Sequence, residues 1–399
     1  MINLENIKQA QERIKDVVAK TPLAYAPYLS ELTSANVYLK KENLQITGAF
    51  KIRGAYNKIA SLSDSERTKG VIAASAGNHA QGVALSANRF GIKAVIVMPE
   101  STPLTKVNGV KYYGAEVVLH GSNYDEAYGY AIEYAQKNDL TFVHPFEDKE
   151  VIAGQGTVGL EILESCEKLD AIIIPIGGGG LIAGMATAIK ALSPNTKVIG
   201  VSASGAPAFK QSYELKTAID TTQVRTIADG IAVRDTSKIT LEYALKYVDE
   251  VISVDDEEIA SAILYLLEKQ KLVVEGAGAV GVAALLHGKV KGLEGKNVTA
   301  VLSGGNMDVT LLSVIIEKGL IKSHRKMNLT VTLIDKPGSL MYFTQILQKL
   351  NANIVHIAYD RTSISLDYGD ANVTVHIETK GKEHQDEIYE ALKSEGYIR

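Results

Sequence analysis

The sequence predicts an α/β protein with mostly parallel sheets, followed by a small α+β module. Up to residue 322, short runs rich in β-branched residues alternate with stretches of helical periodicity. Continuous apolar strands separated by helices are typical of parallel sheets covered on both faces. Glycine clusters stand where strands end and helices begin, which is where ligands bind in such sheets. From residue 323 the order is strand, helix, strand, strand, helix, as in ferredoxin-like units.

Individual elements of the larger part can be placed from their composition. The strand candidates are Gly70–Ser75, Lys93–Pro99, Ala115–His120, Ala171–Gly177, Lys197–Ser202, Glu250–Val254 and Asn297–Gly305. Helical periodicity predicts helices at Asn78–Phe90, Asn123–Lys137 and Gly180–Leu192. A short basic segment, KSHRKMN, separates this part from the C-terminal module. Two domains are therefore expected, 1–322 and 323–399.

Composition limits the classes of function. The 399 residues carry a formal net charge of −4, which gives no electrostatic reason to expect nucleic acid or an anionic membrane as partner. A single cysteine, Cys166, excludes a disulfide scaffold and suits a reducing compartment. The N-terminal segment lacks the apolar core of a signal peptide, and no apolar run approaches the roughly 18 residues of a membrane helix. A cytoplasmic protein is expected.

The stretch GAFKIRGA, Gly48 to Ala55, places a lysine among apolar residues where a helix begins. Positive charge is unfavourable at a helix N-terminus, because the positive end of the helix dipole lies there. Either the Lys51 side chain extends to water as an ordinary ammonium, or its nitrogen takes part in another bond.

Two segments match the dinucleotide-binding pattern G-x-G-x-x-G, Gly154–Gly159 and Gly276–Gly281. The first does not follow a strand, and after neither segment does the next strand end in an acidic residue. We therefore expect no nicotinamide cofactor. The glycines are predicted instead to allow close packing of helix on sheet or the approach of the backbone to another ligand.

Three loops follow strands and carry groups suited to binding. In PIGGGGLIAG, Pro175–Gly184, successive N–H groups at a helix start can surround an anion. No Lys-Ser/Thr pair of a Walker loop follows, so the predicted anion is a phosphate monoester without Mg²⁺. In Ser75–Gly82, Ser75 and Asn78 can cap the helix, and N–H groups can bind a carboxylate. In Val301–Asn306, a serine can donate to a neutral ring nitrogen. The alternative for Pro175–Gly184 is a flexible turn. For Ser75–Gly82 it is a helix cap alone, and for Val301–Asn306 an ordinary turn. The eight histidines have no metal-binding spacing, and no metal is predicted.

These features together suit pyridoxal 5'-phosphate, which a lysine can hold as an imine. The motifs GAFKIRGA, SAGNHAQG, GGGGL, ADGIAV, EGAGAVG and SGGN occur in this order. On these motifs the sequence closely resembles the threonine dehydratases (threonine ammonia-lyases) of the tryptophan-synthase-β superfamily, called fold type II. The resemblance covers essentially the whole chain. It implies a catalytic domain of residues 1–322 with two parallel-sheet subdomains, the smaller at about 40–145 inserted in the larger.

The resemblance also implies roles for matching residues. Lys51 would hold the cofactor and later remove the α-proton, Asn78 would bind the ring oxygen, and Ser303 would meet the pyridine nitrogen. Further cofactor contacts would come from Phe50, Gly230 and Glu275. The phosphate would be bound by Gly177, Gly178, Gly179, Gly180 and Leu181. The substrate carboxylate would be bound by Ser75, Ala76, Gly77, Asn78 and His79, with Ser75 counted as catalytic.

The implied reaction converts L-threonine to 2-oxobutanoate and ammonia. Serine lacks one methyl group, which is worth about 1–3 kcal/mol of discrimination, so some conversion of serine to pyruvate is expected. An L-serine dehydratase or a serine-racemase-like enzyme is the alternative within the superfamily. A non-catalytic amino-acid-sensing protein is the alternative of another class, and the intact Lys51 argues against it.

Two departures narrow the choice. Serine racemases of similar sequence carry a second serine where this chain has Ala76, so racemisation would lose its second proton carrier. Relatives that bind a divalent cation carry acidic residues where this chain has Ser202 and Ala208. Dependence on a divalent metal is not expected, whereas a monovalent cation on backbone oxygens remains open.

The module 323–399 resembles an ACT domain, a small amino-acid-sensing unit. Its turn Asp335–Leu340 and the segment Asn351–Ile357 are where such domains bind an amino-acid effector between paired copies. One copy per chain implies pairing with a second chain, hence a homo-oligomer, dimer or tetramer. A dimerisation module without ligand is the alternative. Allosteric control and a place in isoleucine biosynthesis, or a catabolic role, remain open.

Overall fold

The computed structural model describes residues 1–398, which form two compact units divided between Asp308 and Val309. The helix Val309–Lys322 falls in the second unit, where it contacts the strand Lys326–Ile334. The boundary expected after residue 322 lies at the C-terminal end of this helix, whereas the two units divide at its N-terminal end. The sequence places the helix with the first unit because it continues the alternation of strands and helices found there. The functional division at 322 remains a prediction. Within residues 1–398, no helix is long and apolar enough to cross a membrane.

The first unit contains two sheets. Its strands are β1 (Leu23–Tyr25), β2 (Asn36–Lys40), β3 (Val71–Ala74), β4 (Ala94–Met98), β5 (Glu116–Leu119), β6 (Thr141–Phe142), β7 (Ala171–Pro175), β8 (Lys197–Ala203), β9 (Glu250–Val254) and β10 (Asn297–Val301). One sheet has the order β1-β2-β10-β7-β8-β9 and is parallel except for β1. The other, β5-β4-β3-β6, is entirely parallel. The predicted parallel architecture is confirmed.

Thirteen α-helices of the first unit cover these sheets. They are α1 (Leu4–Ile14), α2 (Pro27–Thr33), α3 (Lys51–Ala60), α4 (Asp64–Lys69), α5 (Asn78–Arg89), α6 (Leu104–Tyr112), α7 (Tyr124–Asn138), α8 (Lys149–Ser165), α9 (Gly180–Leu192), α10 (Ala208–Leu215), α11 (Lys238–Tyr247), α12 (Asp256–Tyr265) and α13 (Gly276–Leu286). Side chains cap the N-termini of several of these helices. At the start of α8, for example, the carboxylate of Asp148 accepts from the N–H groups of Glu150 and Val151. The three predicted helices are found as α5, α7 and α9.

Helices α3, α8 and α9 pack unusually closely because of glycines. A Cβ at Gly156 of α8 would lie 2.9 Å from the carbonyl oxygen of Gly184 in α9, and one at Gly154 would lie 2.5 Å from the carbonyl oxygen of Arg53 in α3. The segment Gly154–Gly159 is therefore the interior of a helix, not a dinucleotide-binding turn. Gly154 and Gly156 do allow close packing, but they pack helix on helix, where helix on sheet was predicted.

A buried ionic cluster anchors α3. The guanidinium of Arg53, with no exposed surface, donates to both oxygens of Glu42 and both oxygens of Glu161. Lys40 also pairs with Glu161 and donates to the carbonyl oxygen of Thr21 at 2.7 Å. Burial alone would lower the pKa of Arg53, but Glu42 and Glu161 raise it above its usual value. Two cations and two anions thus hold the beginning of α3 against β2, the turn that follows it and α8.

The second unit is a three-stranded antiparallel sheet with three helices. Its elements are α14 (Val309–Lys322), β11 (Lys326–Ile334), α15 (Ser339–Lys349), β12 (Asn353–Asp360), β13 (Asp370–Glu378) and α16 (Lys382–Ser394). The strand order is β11-β13-β12. Leu329, Val331 and Leu333 alternate with exposed threonines on β11, so one face packs on α15 and α16. The predicted order of strands and helices from residue 323 is confirmed.

Candidate active site

Lys51 is the first residue of α3 and points into the first unit beside Phe50. Its Nζ donates to the carbonyl oxygen of Pro145 at 3.0 Å and lies 5.3 Å from the centroid of the Phe50 ring. Burial lowers the pKa of Lys51 to about 8, while the nearby charge of Glu275 acts in the opposite direction. At pH 7 about a tenth of such amines is neutral, far more than for an exposed lysine. Lys51 is therefore suited to act as a nucleophile and a base.

Glu275 is the buried carboxyl group next to this amine. It is 5% exposed and occupies the position before α13. Burial raises its pKa to about 7, and Asp229 acts in the same direction, while the hydrogen bond from Asn78 opposes the shift. Desolvation thus favours the neutral forms of both Lys51 and Glu275. Such opposed shifts in a cleft are a mark of functional sites.

The side chain of Asn78 connects Glu275 to a third loop. Its Nδ2 donates to Oε1 of Glu275 at 2.8 Å, and its Oδ1 accepts from Nδ2 of Asn306 at 2.7 Å. The expectation that Ser75 and Asn78 cap α5 is therefore wrong. Gly77 occupies the cap position, and no side chain of the described residues caps the helix. The Asn78 amide is engaged elsewhere, and the Ser75 hydroxyl accepts from the N–H of Gly77 at 3.2 Å.

The predicted carboxylate loop runs from the end of β3 into α5. A Cβ at Gly77 would meet no atom within 4 Å, so the loop borders open space there. Ala76 packs against the core of the four-stranded sheet. His79 is buried, and its Nε2 donates to the carbonyl oxygen of Val143 at 2.8 Å. Burial, and then the charge of Lys51, lower the pKa of His79 to about 3. Its imidazole is therefore neutral at pH 7, and its Nδ1 is buried with no hydrogen-bond partner among the described residues.

The four glycines after β7 form a turn that no larger residue could adopt. Gly179 has φ +85° and precedes α9 without a side-chain cap from the described residues. A Cβ at Gly178 would lie 2.3 Å from Cδ1 of Phe146, and one at Gly180 would lie 2.9 Å from the Cα of Phe146. The first N–H groups of α9 have no intrahelical acceptor and suit an anion. The side chain of Leu181 is buried in the core, so its N–H is the group available there.

Ser303 and Gly230 border the same region. Ser303 is buried, and its carbonyl oxygen accepts from the N–H of Phe50 at 3.0 Å. A Cβ at Gly230 would lie 3.4 Å from Oε1 of Glu275. A Cβ at Gly177 would lie 2.8 Å from the Cα of Ile231. The structure thus brings together the four loops that carry the predicted lysine, asparagine, glycines and serine, because residues of each loop contact residues of another or their immediate neighbours in sequence.

Sequence reasoning missed Pro145, Phe146 and Asn306. Pro145 accepts from Lys51, and Phe146 packs against the glycine turn. No sequence motif marks the segment VHPF, because β6 before it has only two residues and gives no strand signal. Asn306 ends the motif SGGN, in which only the serine has a predicted role. Its position beside glycines after a strand was the available signal.

The residues present fit pyridoxal phosphate. The amine of Lys51 has a lowered pKa, as imine formation requires, and the uncapped start of α9 offers N–H donors for a phosphate monoester. Fold and site together define an enzyme of the class that depends on pyridoxal phosphate. The chain belongs to the family described as pyridoxal-phosphate dependent enzymes, whose sequence model matches residues 14–304.

Relatives and solved structures extend this similarity. The chain is 49% identical over 397 residues to an L-threonine ammonia-lyase of Thermotoga maritima, covering 100% of this chain and 98% of the relative. It is 49% identical over 323 residues to a catabolic L-threonine dehydratase of Staphylococcus aureus, covering 80% of this chain and 93% of the relative. Among solved structures it resembles threonine deaminase isoform 2 of Solanum lycopersicum with a TM-score of 0.75 and 40% identity, covering 79% of this chain and 86% of that one. Maize serine racemase also gives a TM-score of 0.75, with 36% identity and coverage of 81% and 99%.

Proposed function

We propose that this chain is a pyridoxal-phosphate-dependent L-threonine ammonia-lyase that converts L-threonine to 2-oxobutanoate and ammonia. The observation that carries the proposal is Lys51, an amine of lowered pKa placed beside the buried Glu275. Similarity over the whole chain to an L-threonine ammonia-lyase supports threonine as the substrate. Some conversion of L-serine to pyruvate follows, because one methyl group gives limited discrimination.

Different residues of the chain would bind different parts of the cofactor. Lys51 would hold the cofactor, N–H groups of the turn Gly177–Leu181 would bind its phosphate, and Asn78 and Ser303 would contact its ring. Phe50, Gly230 and Glu275 complete this set. When bound, the pyridine ring supplies an electron sink that makes the α-hydrogen of an amino acid acidic.

The reaction needs a base at Cα and the loss of the β-hydroxyl group. The backbone N–H groups at the start of α5, from Ser75 onward, would bind and orient the substrate carboxylate. The Lys51 amine would take the α-proton, which its lowered pKa allows near neutrality. The hydroxyl group leaves with a proton as water, and the released enamine hydrolyses to the oxo acid and ammonia. One water is lost and one is consumed, so the reaction balances.

The structural likeness to a serine racemase makes racemisation a second candidate. Racemisation needs a proton carrier on each face of Cα. Ala76 lies in the loop before α5 and has no group that can carry a proton. Elimination therefore remains the proposed reaction, with an L-serine dehydratase as the alternative.

The test uses purified protein reconstituted with pyridoxal phosphate. A visible absorption band that borohydride traps on Lys51, together with release of 2-oxobutanoate from L-threonine, is expected. L-serine tested in parallel should give less pyruvate, with no D-serine. Lys51→Ala serves as control and should show neither band nor product. A coloured protein that leaves threonine unchanged would refute the proposed substrate, and a protein that takes up no cofactor would refute the whole proposal.

We infer further that the second unit is an ACT-like regulatory module. It lies within the match to the full-length ammonia-lyase, whereas the catabolic dehydratase covers only 80% of this chain. In its turn Asp335–Leu340, Asp335 accepts from the hydroxyl of Tyr359 at 2.9 Å and pairs with Arg361 at 2.7 Å. We propose a homo-oligomer, dimer or tetramer, in the cytoplasm, with allosteric control of a step towards isoleucine.

The regulatory proposal is tested by assaying activity with and without isoleucine, valine and other amino acids. A change in activity that a variant of this turn abolishes would support it. Analytical ultracentrifugation reports the oligomeric state, and a monomer insensitive to every amino acid would refute it.

A further inference from the structure

A backbone carbonyl determines which way the side chain of Asn306 faces. The carbonyl oxygen of Thr47 can only accept, so the Asn306 atom 2.7 Å away must be the donor Nδ2. On the other side, the Asn306 Oδ1 packs against Gly48, where a Cβ would lie only 2.4 Å away. Gly48 has φ +72°, a conformation that favours glycine. The loop immediately before Lys51 therefore holds the Asn306 amide in one orientation.

The orientation of Asn306 in turn determines that of Asn78. The Nδ2 of Asn306 has two hydrogens, and the second points to the Asn78 side chain at 2.7 Å. The atom of Asn78 that faces it must be the acceptor Oδ1. The Nδ2 of Asn78 then faces Glu275, to which it donates at 2.8 Å. Asn306 also donates its backbone N–H to the Glu275 carboxylate.

This arrangement limits what Asn78 can offer to a ligand. Its Oδ1 is occupied by Asn306, whereas one of the two Nδ2 hydrogens is not used by Glu275. Because Oδ1 is directed towards Asn306, the group that Asn78 presents on the side of Glu275 is the donor Nδ2. A ring oxygen contacted by this side chain would be stabilised in its ionised form, because an N–H donor binds an anionic oxygen more strongly than a neutral hydroxyl.

We propose that Asn306 is a positioning residue that fixes the amide of Asn78 as a hydrogen-bond donor to the ring oxygen of the cofactor. The proposal rests on the cofactor of the proposed function and on the ring contact of Asn78, not on the identity of the substrate. It assigns to the last residue of SGGN a task distinct from that of Ser303 in the same motif. The loops of Thr47, Asn78, Glu275 and Asn306 thereby act as one hydrogen-bonded unit around Lys51.

The test is Asn306→Asp in the protein reconstituted with pyridoxal phosphate. An aspartate cannot donate to Thr47 or to Asn78, so the Asn78 amide should turn and direct its oxygen towards the ring. The protonated form of the ring oxygen absorbs at shorter wavelength, so the visible band should decrease in favour of a near-ultraviolet band. Loss of a charge-assisted hydrogen bond should weaken cofactor binding by roughly 10- to 100-fold. Asn306→Ala removes the donor without adding charge and should shift the bands in the same direction, to a smaller extent.

The matched control is Asn43→Asp. The Nδ2 of Asn43 also donates to a carbonyl oxygen, that of Val273 at 3.1 Å, and the side chain packs beside Gly305, yet it makes no hydrogen bond to Asn78. It should leave the ratio of the two bands unchanged. Thermal unfolding of every variant separates loss of structure from loss of orientation.

The outcomes are distinct. Wild-type band ratios in both Asn306 variants would overturn the proposal, even if the variants bind the cofactor weakly or unfold at lower temperature. Should Asn306→Asp fail to fold, the band ratio of Asn306→Ala decides. A wild-type protein that takes up no pyridoxal phosphate would instead refute the proposed function.

Discussion

The guanidinium of Arg53 binds Glu42 through two hydrogen bonds of 2.8 Å each, and Arg53 lies two residues after Lys51 on α3. Residues two apart on a helix point in different directions. The side chain of Arg53 therefore faces the buried ionic cluster, while that of Lys51 faces the carbonyl oxygen of Pro145. The cluster thus fixes the helix turn that carries the candidate catalytic amine.

Replacing Arg53 by alanine should strongly destabilise the protein. Glu42 and Glu161 would remain buried without their cation, and breaking a buried ion pair in this way costs about 3–5 kcal/mol. Denaturant unfolding measures this loss. The control is Arg13→Ala, which removes a partly exposed pair with Glu150 and should cost less than about 1 kcal/mol. Equal losses in the two variants would contradict the importance of the cluster.

The uptake of cofactor by the protein freed of it should depend on pH with a midpoint near 8. Only the neutral amine of Lys51 attacks a carbonyl carbon, and the neutral fraction rises as pH rises through its pKa of about 8. The growth rate of the visible band, measured from pH 6 to pH 10, should therefore increase and then level off. A rate that keeps rising towards the ordinary lysine pKa of about 10.5 would contradict a lowered value.

Lys51→Met should stabilise the cofactor-free protein while abolishing activity. The pKa of Lys51 is lower in the folded state, about 8, than in the unfolded state, about 10.5. The folded protein is therefore most stable with respect to this group above pH 10.5, and this stability is lost as the pH falls through about 8. At pH 7 the burial of the protonated amine, which methionine removes, therefore destabilises the wild type by about 3 kcal/mol, as follows from a pKa lowered from 10.5 to about 8. The difference in unfolding free energy between variant and wild type should shrink between pH 7 and pH 10. A difference that does not change with pH would speak against a buried charge.

Gly178→Ala should weaken cofactor binding at least about tenfold, or 1.4 kcal/mol. The new Cβ would lie 2.3 Å from the Phe146 ring, so the turn before α9 would have to move. Fluorescence titration of the cofactor-free variant measures the affinity. Gly129→Ala is the control, since its Cβ would meet no atom within 4 Å in the middle of α7. It should leave cofactor affinity unchanged and raise stability by about 0.5–1 kcal/mol.

The sequence was most informative where a pattern is local. The apolar run before Gly177–Gly180 predicted β7, the glycine turn and the start of α9, because strand, turn and helix signals are contiguous there. The strands β1 and β6 were missed because they have only three and two residues. β2 has five residues but was missed as well, since it becomes a central strand only through pairing with the remote β10. The buried cluster of Arg53 was missed for a related reason. Its partners Glu42 and Glu161 look like ordinary surface acids in sequence, and only the fold buries them.

The capping error at Asn78 has the same physical origin. An asparagine at a helix start is ordinarily expected to cap that helix, as a local rule. Here two partners from remote parts of the chain, Glu275 and Asn306, compete for its amide and bind it instead. Residues of functional sites depart from local preference in this way, because tertiary contacts determine their orientation.

The strand order of the larger sheet bears on how the protein is made. β10 lies between β2 and β7, although it is the last strand of the first unit to be synthesised. Until residue 301 has left the ribosome, β2 and β7 each present an unpaired edge, which invites pairing with other chains. The same late segment brings Ser303 and Asn306 to the site. The colour of bound cofactor should therefore report a completed chain, and nascent or truncated chains should be both colourless and prone to aggregation.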